Sequence, residues 1–246
     1  MSDATIEATP AKGLFARALG MFTAPKATFQ SVVAHPKPAG ILFLSIVLIA
    51  GTTVLPQFTA TGKQLVLDTQ VKAAERAAEA RGQTLTEDQI ARFDSFASFT
   101  PYITLAGILI FVPIVTMIFA GLYWLLFNVI LGGTATFRQV LAVVAHPAII
   151  GAAGTVIGTP IMYAQGKLSN VGPFNLGALA AGADPTSFFA HFMGAISIFQ
   201  IWSLLVTAIG LAVLYRRKTG GIAATLMFIY LGITACMAYF FGGYMA

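Results

Sequence analysis

A chain of 246 residues that is 57% hydrophobic and only 9% charged cannot clothe a water-soluble surface, for which roughly a quarter of the residues are charged. Its apolar residues come in continuous runs, many reaching the about 20 helical residues that cross a hydrocarbon core of about 30 Å. A net charge of +5 spread over short loops and termini fits the positive-inside pattern of membrane proteins and excludes nucleic acid as a partner.

Residues 1–11 read as disordered, with no cleavable signal peptide ahead of the first long apolar run near Ile41. Leu14, Phe15, Ala18, Leu19 and Phe22 then recur at helical spacing, with Lys12 and Arg17 on the polar side, which predicts a helix lying on the membrane surface. Pro25 suits the first position of a second short helix carrying Phe29, Val32 and Val33 and ending before His35-Pro36-Lys37-Pro38. Residues 1–38 are thus expected to form a cytoplasmic segment with amphipathic helices. It serves either as an interfacial anchor or as a docking face for a cytoplasmic protein.

Residues 39–246 are read as an all-α domain with five transmembrane helices, at about 39–58, 101–131, 137–164, 192–215 and 221–241. The one long hydrophilic stretch, 59–100, is predicted to be an extramembrane helical hairpin. Its first helix stops at Gly82, where a left-handed C-cap is cheap. Its second opens with Thr86 and Gln89 as a capping box, flanked by Leu85 and Ile90 as a hydrophobic staple. Five basic and six acidic residues there suit a solvated face. Span two exceeds the minimum length, so it must tilt, kink at Pro113 or extend past the bilayer. Span three carries Pro147 and Pro160, and the loop after it, from Gln165 to about His191, is expected to re-enter the membrane in part.

Orientation follows from the basic residues in short segments. With the N-terminus inside, Lys12, Arg17, Lys26, Lys37, Arg138, Arg216, Arg217 and Lys218 fall on the cytoplasmic side, and the C-terminus lies outside.

The spans contain no Asp, Glu, Lys or Arg away from their ends, which argues against a carboxylate proton relay and a voltage sensor. The polar candidates left at depth are Asn128, His146 and Gln200. Asn128 and His146 are placed to approach one another in the cytoplasmic half, as a pH-sensitive binding site or as an interhelical hydrogen bond that fixes packing. The three histidines are not at metal-ligand spacing, the lone Cys236 has no partner in the chain, and no catalytic motif is present. No catalytic, metal or cofactor site is therefore expected. Gly154 and Gly158, with Gly151 nearby, permit close approach of another helix, within the bundle or between copies in a homo-oligomer.

Three sets of residues then carry a family resemblance: Pro25-x-x-Thr28-Phe29; Gly132-Gly133-x-x-x-Phe137-Arg138-Gln139; and, in span four, Phe199-x-Ile201-Trp202-Ser203-Leu204 with Ala208-Ile209-Gly210-Leu211. In this order and spacing, over roughly residues 13–240, the chain resembles the prokaryotic branch of the Yip1 family. That resemblance implies a five-span bundle of the bacterial inner membrane with a cytoplasmic N-terminus and an extracytoplasmic C-terminus. Eukaryotic relatives are associated with trafficking, Rab-type GTPase binding and membrane shaping. This chain lacks their acidic N-terminal region and their Asp-Leu-Tyr-Gly-Pro motif, so Rab binding is not carried over. The expected function is a non-enzymatic scaffold acting through membrane lipids or a protein partner. The alternative is a transporter or channel whose path is lined by the kinked spans two and three.

Overall fold

The computed structural model describes residues 12–79, 81–166, 172–180, 182–184 and 187–242; the disorder expected for residues 1–11 lies outside them. Among the described residues the architecture is helical. Two short helices, α1 (Leu14–Thr23) and α2 (Pro25–Ala34), precede α3 (Pro38–Val54), the bulk of span one. Pro25 and Pro38 each occupy the first helical position, where the missing N–H costs nothing. The hairpin consists of α4 (Ala60–Glu79) and α5 (Glu87–Ala97). Gly82 adopts a positive φ of 67° after α4. Gln89 N donates to Thr86 Oγ1 and Thr86 N donates to Gln89 Oε1, closing the expected capping box.

Span two is α6 (Thr100–Trp124), which widens into a π-helical turn over Leu125–Ile130. Span three is broken: α7 (Phe137–Ala145) and α8 (Ala148–Ala164) meet at His146-Pro147. A second capping box, Thr136 with Gln139, starts α7, and Gln139 Nε2 also donates to Val33 O of α2 at 3.3 Å. A short helix, α9 (Phe188–Ala195), leads to span four, α10 (Ile198–Tyr215), and span five is α11 (Thr219–Gly242). Among the described residues, five spans, with α7 and α8 together making the third, have the length and apolarity to cross a membrane. The chain is a polytopic all-α membrane protein.

Span three lies at the centre, with 50% of its most apolar window buried against 11% for span two. Span one packs along α8 and span two along α7, while span four packs against α7, α8 and α11. The short N-terminal helices belong to this core. Met21, Phe29 and Val32 are fully buried alongside Val140, Val143 and Leu211, and α2 lies along α10. The two helices cross where Gly20 meets Thr28 so closely that a β-carbon at residue 20 would strike the Thr28 hydroxyl.

Arg17 departs from its expected place on a polar surface. It is 3% exposed, whereas Phe15 and Leu19 on the same helix are exposed. Its Nε donates to Lys12 O at 2.9 Å and its Nη1 to His35 O at 3.1 Å. In an apolar surrounding a guanidinium gains more from fixed carbonyls than from a lipid-facing position, so α1 turns its polar side inward. Burial pulls the Arg17 pKa below the usual arginine value.

Span four also differs, starting at Ile198 and not near Phe192. Ile196 is extended, Leu176 N donates to Ile196 O at 2.8 Å, and Ile198 N donates to Phe174 O at 3.0 Å. The 174–176 segment thus takes up backbone groups that a continuous helix would have used, and the apolar run divides into α9 and α10.

Candidate functional site

His146 sits in the joint of span three and is fully buried. Its Nδ1 lies 2.6 Å from Ala142 O. A carbonyl only accepts, so Nδ1 carries the proton and Nε2, buried without a partner, presents a bare lone pair. Pro147 has no N–H, and its carbonyl accepts from Ser203 Oγ of span four at 3.2 Å. The break is thereby tied to span four.

Asn128 is engaged elsewhere. Its Nδ2 donates to Ala135 O at 2.5 Å, and its Oδ1 accepts from Tyr215 OH at 2.9 Å. Trp124 Nε1 donates to the same Ala135 carbonyl at 3.1 Å. The Phe127 and Tyr215 rings stack with centroids 4.7 Å apart. Gly133 N donates to Phe127 O at 2.9 Å, and a β-carbon at residue 133 would meet that oxygen and the Tyr215 ring at 2.7 Å. These contacts clamp the 131–136 loop between the ends of spans two and four. Asn128 and His146 share no hydrogen-bond partner.

The three glycines of span three divide their roles. A β-carbon on Gly154 would meet the Phe199 ring at 2.7 Å, so this glycine lets span four approach closely. Gly158 faces Pro173 and Phe174, and Gly151 faces open space. All three line a crevice of about 390 Å³ that also receives Thr155, Asn175 and Gln200. Its far wall is the 172–175 segment, held by Asn175 Nδ2 donating to Gly194 O at 2.6 Å.

The end of the bundle where α2, α7 and the junction of α10 and α11 meet is basic. Between Asp94 and Asp184, and again from 185 to the C-terminus, the sequence has no carboxylate side chain. Spans two to five therefore bring Arg138, Arg216, Arg217 and Lys218 to this end with no acidic residue of their own. Two cavities open here. One, about 680 Å³, is lined by Gln30, Gly132, Gln139, Tyr215 and Arg216 among others. The other, about 690 Å³, lies between the end of span two and the first turns of span five under Arg216, Arg217 and Lys218. Sequence reading used these three cations only for topology; the apolar cavity beneath them arises from a meeting of distant helices and leaves no local pattern.

The sequence has relatives. Membrane protein YknW of Bacillus subtilis (strain 168) is 25% identical over 207 residues, covering 83% of this chain and 78% of that protein. No solved structure matches. The Yip1 domain matches residues 19–241, from within α1 through span five. The chain belongs to the Yip1 family.

Proposed function

We propose that this protein is a non-enzymatic scaffold of the bacterial inner membrane, oriented with its basic end and N-terminal helices in the cytoplasm. Its partners on this reading are lipids or proteins gathered at that end. One observation carries the proposal: neither His146 nor Asn128, the paired polar candidates at depth, offers a free group to an open path. His146 is sealed and bonded to its own helix, and Asn128 is bonded to the 131–136 loop and span four. Groups that select a solute need a face open to a path.

The rival reading is a transporter or channel. It is favoured by Pro113 inside span two, by the break at Pro147 and by the polar residues lining the Gly151–Gly158 crevice. A solute screen in proteoliposomes decides between the two. The scaffold reading expects no flux above empty vesicles for the parent or for His146→Ala, together with partners recovered by crosslinking at the basic end. Solute flux that His146→Ala abolishes would overturn it.

A further inference from the structure

The cavity between spans two and five has two unlike halves. Its floor is apolar, formed by Leu126, Phe127 and Leu131 of span two with Ile222 and Leu226 of α11. Its rim is Arg216, Arg217 and Lys218, all exposed. Arg217 Nη2 donates to Leu131 O at 3.2 Å, which holds one guanidinium across the mouth; a carbonyl dipole leaves its charge uncompensated. Arg216 is the one non-glycine residue with positive φ among the described residues, at φ 52° and ψ 43°. Helices commonly end on glycine in this left-handed conformation because a β-carbon is strained there. The chain keeps an arginine where glycine would be easier.

We propose that this cavity binds one anionic phospholipid, with its phosphate against Arg216, Arg217 and Lys218 and an acyl chain along Leu131, Phe127 and Leu226. The cations and the apolar floor are complementary to the two ends of such a molecule at the membrane boundary. A soluble anion would leave the floor unfilled. A zwitterionic phospholipid would bring its own ammonium into the field of three cations. The assignment rests on the scaffold reading in naming one of its partners, but lipid binding and solute flux are separate measurements and each can fail alone.

The test places the full chain in phosphatidylcholine vesicles with a trace of photoreactive phosphatidylglycerol or, in a parallel sample, photoreactive phosphatidylcholine, and maps the labelled peptides. Phosphatidylglycerol is expected to label the peptides containing Leu126–Leu131 and Gly221–Leu226 preferentially. Arg217→Gln and Lys218→Gln should each lower that labelling about fivefold, the effect of removing one basic contact to an anionic lipid. Arg138→Gln, which removes a cation at the same end but outside the cavity, should leave it unchanged. Arg216→Gly keeps the left-handed turn at lower strain, so it should melt no lower than the parent while losing label to a similar extent, and it decides the matter if a glutamine variant fails to fold. Equal labelling by the two lipids, an equal loss in Arg138→Gln, full labelling in a folded Arg216→Gly, or displacement of the label by excess inorganic phosphate would each overturn the proposal.

Discussion

Glycines of opposite character show how much a single position depends on its neighbours. Gly210 of span four admits the Phe29 ring and a Val143 methyl, each 2.7 Å from where a β-carbon would stand, and both of those residues are fully buried. Gly151 has nothing within 4 Å. Gly210→Leu should therefore destabilise the fold by about 1–3 kcal/mol through overpacking. Gly151→Ala should stabilise it by up to about 1 kcal/mol through backbone entropy and helix propensity. Denaturant unfolding of the two variants in one detergent should show shifts of opposite sign. Both glycines look alike in the sequence, because what distinguishes them belongs to other helices. The same holds for Arg17: helical spacing correctly separated it from Phe15 and Leu19, but spacing cannot tell which side faces protein. The carbonyls of Lys12 and His35 decide that.

Elements were legible where their signals are local. The Thr86–Gln89 box acts over one turn, so its sequence and its geometry coincide. Thr86→Ala should cost about 1 kcal/mol of cap energy, and amide exchange in the first turns of α5 should quicken about fivefold while the five spans keep their rates. The matching box at Thr136–Gln139 is equally local, but it lies just after Gly132-Gly133, in a stretch whose residues carried the family resemblance. The π-helical turn at Leu125–Ile130 has no comparable signal. It is fixed by the loop it grips, through Trp124 and Asn128 on one carbonyl of Ala135. Nor does hydropathy register the break before Ile198, since Phe192 to Tyr215 is apolar on both sides of it. The break lies in backbone pairing with residues 174–176, about twenty positions upstream.

For the molecule as a whole, the number of spans was readable because length and apolarity are what a bilayer requires of a helix. The place of α1 and α2 in the core was not, since their short apolar faces suit a membrane surface as well as a bundle. The proposed orientation makes a direct prediction. In a Cys236→Ala background, which removes the exposed native thiol, cysteines at Thr86 and at Arg217 should be labelled by an impermeant reagent from opposite sides of the membrane. Labelling of both from one side would refute the arrangement.

The lengths of the spans bear on the lipids around them. Span two, at 31 residues, and span four, at 18, measure about 46 Å and about 27 Å along their axes at 1.5 Å per residue, on either side of a hydrocarbon thickness of about 30 Å. No single bilayer thickness suits both. Lipids beside span two are stretched or meet a leaning helix, while those beside span four are compressed, at a modest cost for each ångström of mismatch. Unless span two leans or projects beyond the bilayer, the protein imposes a thickness gradient around its own circumference, and copies lower the total distortion by settling where the membrane is already uneven.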